Sequence, residues 1–144
     1  EIPVYLAKRK ATPFSSALKE NDLLITADTI VWINGHVLGK PAGADEAKQM
    51  LTQLSGHEHQ VISGVCLTST QKQTTFFSVS NVLFKTLSEN EIDFYISHFK
   101  PFDKAGAYGI QEWIGTIGIT HIEGSFYNVM GLPVQKLYEE ILKF

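Results

Sequence analysis

From Leu23 to Ile33 the chain is rich in β-branched residues and ends on Asn34-Gly35, the strongest short signal for a two-residue hairpin turn, with His36-Val37-Leu38 returning. Whatever fold forms must therefore include antiparallel sheet. Within this hairpin the run Ile25-Thr26-Ala27-Asp28-Thr29-Ile30-Val31-Trp32 carries one acid at its centre. Placing a lone carboxylate in an apolar strand is costly unless the group is paired or used. Asp28 is thus the first candidate for a functional residue. Lys40 follows it by twelve positions in Leu38-Gly39-Lys40-Pro41, and the hairpin turn brings this lysine back toward the acid.

The other elements mix helix and strand, so the expected class is α/β in the mixed, α+β sense. Val4 to Leu18 carries an approximate helical stripe of Leu6, Ala7, Ala11, Phe14 and Leu18, broken where Pro13 starts a new turn. Gly43 to Leu54 reads as an amphipathic helix through Ala47, Met50, Leu51 and Leu54, closed by Gly56. His59–Thr70 and Thr74–Phe84 should pair as a second hairpin across Gln71-Lys72-Gln73, with the register open because Val79, Val82 and Phe84 do not alternate cleanly. Ser88 and Glu91 form a capping box for a helix reaching about His98. Lys104 to Gly118 holds glycines at 106, 109, 115 and 118, with another at 124, and reads as loop with short strands. Pro133 opens a last helix, with Val134, Leu137, Tyr138, Ile141 and Leu142 expected on its buried side.

At 144 residues and 44% apolar, the chain suits a single domain over residues 1–144. A net charge of −3 offers no basic field to nucleic acid and no polybasic patch to a membrane. No apolar segment approaches the ~20 residues needed to span a bilayer. Cys66 is the only cysteine, which excludes an intrachain disulfide and a cysteine metal cluster and fits a reducing cytoplasm. A small soluble partner is the remaining class. The chain opens Glu1-Ile2-Pro3 without methionine, and Tyr5 to Ala11 reads as a helix entered in mid-domain, so an N-terminally incomplete domain is expected.

An ionised, partly desolvated Asp28 could coordinate a divalent cation through hard oxygen or take a proton from water. Lys40 is a compact positive charge beside Gly39, where bare backbone lets a phosphate come near. A metal-bridging carboxylate and a phosphate-binding lysine are parts that phosphoanhydride hydrolysis requires. No Gly-rich phosphate loop ending in Lys-Ser or Lys-Thr occurs, which argues against a kinase-like fold. His57 and His59 share a strand face but find no third ligand and are read as surface histidines; His36, His98 and His121 pair with no nucleophile. Among the aromatics, Trp113 is the one kept near a bound base, two residues from Gln111.

The segments Ala27-Asp28-Thr29-Ile30-Val31, Leu38-Gly39-Lys40-Pro41, Leu54-Ser55-Gly56, Ser63-Gly64-Val65, Asp103 to Gln111 and Asn128 to Pro133 occur in one order. In that order the chain resembles the Maf family of nucleoside triphosphate pyrophosphatases over nearly its whole length. The resemblance implies a fold similar to that of the inosine triphosphate pyrophosphatases, with two lobes around a nucleotide-binding cleft. It also implies release of pyrophosphate from a nucleoside triphosphate to leave the monophosphate, a divalent metal cation (Mg2+ or Mn2+) as cofactor, and a homodimer. By the same resemblance Asp28 matches a general base or metal ligand, Lys40 a phosphate-contacting lysine, and Lys10 a second basic residue of the cleft. Thr29 and Gln111 fall where members differ by substrate, and this pairing looks like the branch acting on dTTP and UTP. An amide can donate and accept across a pyrimidine edge, which suits Gln111. Lys104 is a further phosphate candidate, ranked below Lys40. The family's opening strand, its Ser-Pro-Arg-Arg-type loop and the acid that follows lie outside the matching part, which begins at about Glu1. Two other readings are a nucleotide-binding regulator of division without turnover, and a pyrophosphatase for a methylated purine nucleotide.

Overall fold

A computed structural model describes residues 1–144. Five strands form one wholly antiparallel sheet in the order β2-β1-β3-β4-β5: β1 (Leu24–Ile33), β2 (His36–Leu38), β3 (Glu58–Thr68), β4 (Gln73–Phe84) and β5 (Ile119–Glu123). The first hairpin forms as expected, with Asn34 and Gly35 both at positive φ, 50° and 82°, as its tight turn requires. Thr68 pairs with Gln73 across the second hairpin, which fixes the register left open above: Phe76, Ser80, Val82 and Phe84 point inward, while Phe77 and Val79 face out.

Six helices surround the sheet: α1 (Ile2–Ala11), α2 (Ala44–Leu54), α3 (Glu89–Phe99), α4 (Trp113–Gly118), α5 (Phe126–Met130) and α6 (Val134–Lys143). A 3₁₀ segment, Thr12–Ala17, begins where Pro13 was expected to break the first helix. Both arms of the capping box close on α3: Ser88 Oγ accepts from the Glu91 amide at 3.1 Å, and the Glu91 carboxylate accepts from the Ser88 amide at 2.9 Å. The main core lies where α2 and α3 meet the sheet, joining Leu51, Leu54 and Tyr95 to Val31, Val61, Val82 and Phe84. Strand alternation puts α1 on the other face, where Ala7 and Ala11 enclose Cys66.

Two expectations fail. The Lys104–Gly118 stretch contains a 3₁₀ turn, Ala105–Ala107, and the helix α4 in place of short strands; the strand β5 begins only at Ile119. The segment Trp113-Ile114-Gly115-Thr116-Ile117-Gly118 has weak helix propensity, and tertiary packing overrides it. Ile114 is wholly buried, and Gly115 lies so close to the Ile110 carbonyl that a Cβ there would sit 1.9 Å from its oxygen. In α6 only Leu137 is buried; Val134, Tyr138, Ile141 and Leu142 are exposed. The stripe exists, but its apolar contact with the rest of the chain runs through Leu137, beside Leu132 and Phe144, and Lys136 adds a bond to the Phe77 carbonyl at 2.8 Å, so most of the stripe stays uncovered. No helix is long and apolar enough to cross a membrane.

Candidate functional site

The short second strand decides where the site opens. β2 pairs only with Val31, Trp32 and Ile33, so along Ala27–Ile30 that edge of β1 has no neighbouring strand. Successive side chains of a strand alternate between faces, and at this open edge both Asp28 and Thr29 can line one cleft. The cleft has a volume of about 300 Å³, at the small end of ligand sites. Lys10, Asp28, Thr29, Lys40, Lys104 and Gln111 all line it. The structure thus brings together these six candidate residues.

Asp28 is held by α1. The helix lies directly on the sheet because Gly64, the cross-strand partner of Asp28, has no side chain: a Cβ there would sit 2.3 Å from the backbone of Pro3 and Val4. Small residues Ala7 and Ala11 continue this buried stripe, and Thr26 Oγ1 donates to the Ala7 carbonyl at 2.7 Å. Two turns beyond Pro3 the helix delivers Lys10, whose Nζ lies 2.7 Å from Asp28 Oδ1 and donates to the Ala27 carbonyl at 2.9 Å. The Asp28 side chain is only 20% exposed, so this ion pair compensates a carboxylate largely withdrawn from water.

Opposite stands a wall of irregular backbone. Gly106 and Ala107 follow one another at positive φ, 70° and 61°, the second a strained conformation for a residue with a Cβ. Bonds from the surrounding fold hold it. The Gly106 amide donates to the Gly39 carbonyl at 3.1 Å, tying this wall to the loop that carries Lys40. Tyr108 is buried, its hydroxyl 2.6 Å from His59 Nε2, and both rings pack on Phe84. Burial lowers the pKa of His59 to about 4 and pushes Tyr108 well above the usual phenol range. His59 is therefore a neutral core histidine, which corrects its reading as a surface one; its neighbour His57 is exposed.

Three lysines face the cleft in different electrostatic states. Lys10 is paired with Asp28, and Lys104 lies between Asp103, at 3.1 Å, and Glu112, at 3.5 Å. Burial opposes the charge of Lys104, but the two carboxylates outweigh it and leave its pKa above the ordinary lysine value. The hydrogen bond from Lys104 holds Asp103 below the usual carboxylate range, with a smaller contribution from Lys40. Lys40 itself enters no ion pair. Gln111 is exposed at the rim, and its side chain makes no hydrogen bond within the chain. Trp113 does not line the cleft; it packs edge-on against Phe94 at 4.9 Å.

The third side rests on residues to which sequence reasoning gave no role. Asn128 is wholly buried, and its Nδ2 donates to the Val61 carbonyl at 3.1 Å, Ser80 Oγ at 3.0 Å and the Ser78 carbonyl at 3.3 Å. The main-chain carbonyl of Asn128 accepts from Ser63 Oγ at 3.3 Å. Thr29 Oγ1 lies 2.7 Å from Ser63 Oγ and donates to the Gly131 carbonyl at 3.1 Å. This network pins Val129, Met130 and Gly131 against the sheet as cleft wall, and commits the Thr29 hydroxyl to partners inside the protein. Ser63 and Asn128 fall in two of the segments that carry the family resemblance, Ser63-Gly64-Val65 and Asn128 to Pro133, but no local pattern gave either a role.

Nowhere do three His, Cys, Asp or Glu side chains converge as a metal cage. Asp28 contributes a single hard oxygen donor set. That fits magnesium or manganese held by one carboxylate together with substrate phosphates, the usual way Mg²⁺ is bound at phosphate sites.

Comparison with known proteins finds relatives over nearly the whole chain. A dTTP/UTP pyrophosphatase of Bacteroides thetaiotaomicron is 57% identical over 143 residues, covering 99% of this chain and 74% of that protein. Proteins of the same name from Parabacteroides distasonis and Flavobacterium psychrophilum are 55% and 49% identical, over 100% and 99% of this chain and 75% and 73% of their own lengths. A family model described as Maf-like protein matches residues 1–144, and the chain belongs to the Maf family.

Proposed function

We propose that this protein is a nucleoside triphosphate pyrophosphatase that hydrolyses dTTP and UTP to the monophosphate and pyrophosphate. The observation that carries the reading is the Asp28–Lys10 pair at the open edge of β1, in one cleft with Lys40 and Lys104. Relatives at 49–57% identity bearing the name dTTP/UTP pyrophosphatase support the substrate class.

In this reading Asp28 takes a proton from a water that adds to the α-phosphorus, the bond to the bridging oxygen of the β-phosphate breaks, and pyrophosphate leaves. Lys40, Lys104 and Lys10 bind the phosphate oxygens and offset their charge in the bound substrate and the transition state alike. Gln111 meets the pyrimidine edge from the rim, and Thr29 shapes the floor through its bond to Gly131. Asp28 would hold a divalent cation jointly with substrate phosphates; when bound, the ion supplies charge neutralisation at those oxygens. We further propose a single domain acting as a cytoplasmic homodimer: the uncovered apolar stripe of α6 gives a dimer surface to bury, and the buried, unpaired Cys66 suits a reducing compartment.

The test is pyrophosphate release from dTTP, UTP, CTP and 7-methyl-GTP with magnesium or manganese. Turnover of dTTP and UTP ahead of the other two is the expected result. Binding without pyrophosphate release would leave a nucleotide-binding regulator, and a preference for 7-methyl-GTP would overturn the pyrimidine assignment.

A further inference from the structure

We propose that Glu112, seated by the buried hydroxyl of Tyr95, is a positioning residue that holds the Lys104 ammonium at the cleft wall to receive a substrate phosphate. The inference rests on the phosphate-binding reading of Lys104 and extends it to two residues that no sequence motif singled out.

Tyr95 projects from α3 and is wholly buried. Its hydroxyl accepts a hydrogen bond from the Gly109 amide at 3.1 Å and donates one to Glu112 Oε1 at 3.1 Å. Desolvation raises the pKa of this phenol far above its ordinary value, so it remains a proton donor at any pH at which the protein works. The two carboxylates beside Lys104 differ in how firmly they are held. Asp103 is 74% exposed, whereas Glu112 is 20% exposed and fastened through Tyr95 to a core helix. An exposed ion pair alone restrains a long lysine side chain weakly. Glu112 adds a fixed point of attraction on the protein side of the ammonium.

Gly109 completes the device. A Cβ at this position would sit 2.7 Å from Glu112 Oε1 and 2.9 Å from Lys104 Cε. The carboxylate and the lysine stem therefore close over bare backbone, and the same residue's amide anchors Tyr95. Lys104 enters the cleft with its stem already packed, so less side-chain freedom is lost when a phosphate arrives.

The measurements are the dissociation constant of a dTTP analogue with an imido link between its α- and β-phosphates, and KM and kcat for dTTP, in Glu112→Ala, Glu112→Gln, Lys104→Ala and the double variant Glu112→Ala/Lys104→Ala. Glu112→Ala should weaken binding and raise KM ~10-fold with kcat within ~2-fold, the mark of an interaction shared by ground and transition states. Glu112→Gln, which keeps the acceptor for Tyr95 but not the charge, should cost ~3-fold, as should Tyr95→Phe. Because Glu112 acts through the lysine, the double variant should be no worse than Lys104→Ala; a structural role would instead add to it. Wild-type affinity in Glu112→Ala, or a persistent effect of that change in the Lys104→Ala background, would overturn the proposal while leaving the pyrophosphatase reading intact. Wild-type protein that neither binds the analogue nor releases pyrophosphate would overturn both.

Discussion

The two walls of the cleft carry similar charges and are built by different physics. On the strand wall, Asp28 stands in a ten-residue strand whose backbone is fixed by its ladder to β3, and Lys10 arrives on a helix seated by Gly64, Ala7 and Ala11. On the opposite wall, Asp103, Lys104 and Gln111 lie in backbone with one short 3₁₀ turn, shaped from beneath by Tyr95, Tyr108 and His59. Regular structure holds its functional groups through many small, redundant hydrogen bonds. The irregular wall depends on a few buried side chains, so losing one of them should displace the groups above it.

The largest effect should separate chemistry from scaffold on the strand wall. Asp28→Asn keeps an acceptor for Lys10 but loses the proton-accepting charge, and kcat for dTTP should fall by ~10³-fold, within the range for loss of a general base. Thermal unfolding should change little, because the strand ladder is untouched. Undiminished turnover would show that Asp28 is not the base and that this wall serves only to hold Lys10.

The next effect probes the irregular wall through pH. His59 is neutral in the fold with a pKa of about 4, against an ordinary value of 6.5. Between those values the unfolded chain binds a proton that the folded one refuses, so stability rises with pH across this window. The contribution is fully present above pH 6.5 and is lost as pH falls toward 4, amounting to about 3 kcal/mol over the interval. Chemical unfolding of wild type and His59→Gln at pH 7 and pH 4.5 would isolate it, since the other acids titrate alike in both. A wild-type slope no steeper than that of His59→Gln would mean that the histidine is hydrated and does not support Tyr108.

The same contrast explains how much could be read from the sequence. The hairpin through Asn34-Gly35, the long β3–β4 pair and the Ser88–Glu91 capping box are local signals, in which neighbouring residues satisfy one another, and all three form. Asp28 stood out because an acid in an apolar run needs a reason, and Lys40 because it returned beside a glycine. Lys10, Thr29 and Gln111 came only through resemblance to a family, since nothing local distinguishes them. The parts that went unread are those decided at long range. His59 meets Tyr108 across 49 positions, and Asn128 meets Val61 across 67. Helix α4 forms against its own propensity because Ile114 and Gly115 pack on distant or looped-back residues. For α6 the stripe was legible, but whether anything covers it was not, because periodicity reports a face and not its partner.

The smallest effect falls where the two walls meet. Lys40 leaves the β hairpin just after Gly39, whose carbonyl receives the Gly106 amide, and its charge is felt by Asp103 on the other side. Unlike Lys10 and Lys104 it has no carboxylate partner. Lys40→Ala therefore strands no acid, and its cost should fall on phosphate binding alone. KM for dTTP should rise ~10-fold, the loss of one charge-assisted contact, with stability within ~0.5 kcal/mol of wild type as for other exposed substitutions. Lys10→Ala should differ in kind, weakening binding and also leaving a largely buried Asp28 without its countercharge. Equal losses of stability in the two variants would show that Lys40 is braced by Asp103, and that the walls differ less than their hydrogen bonds imply.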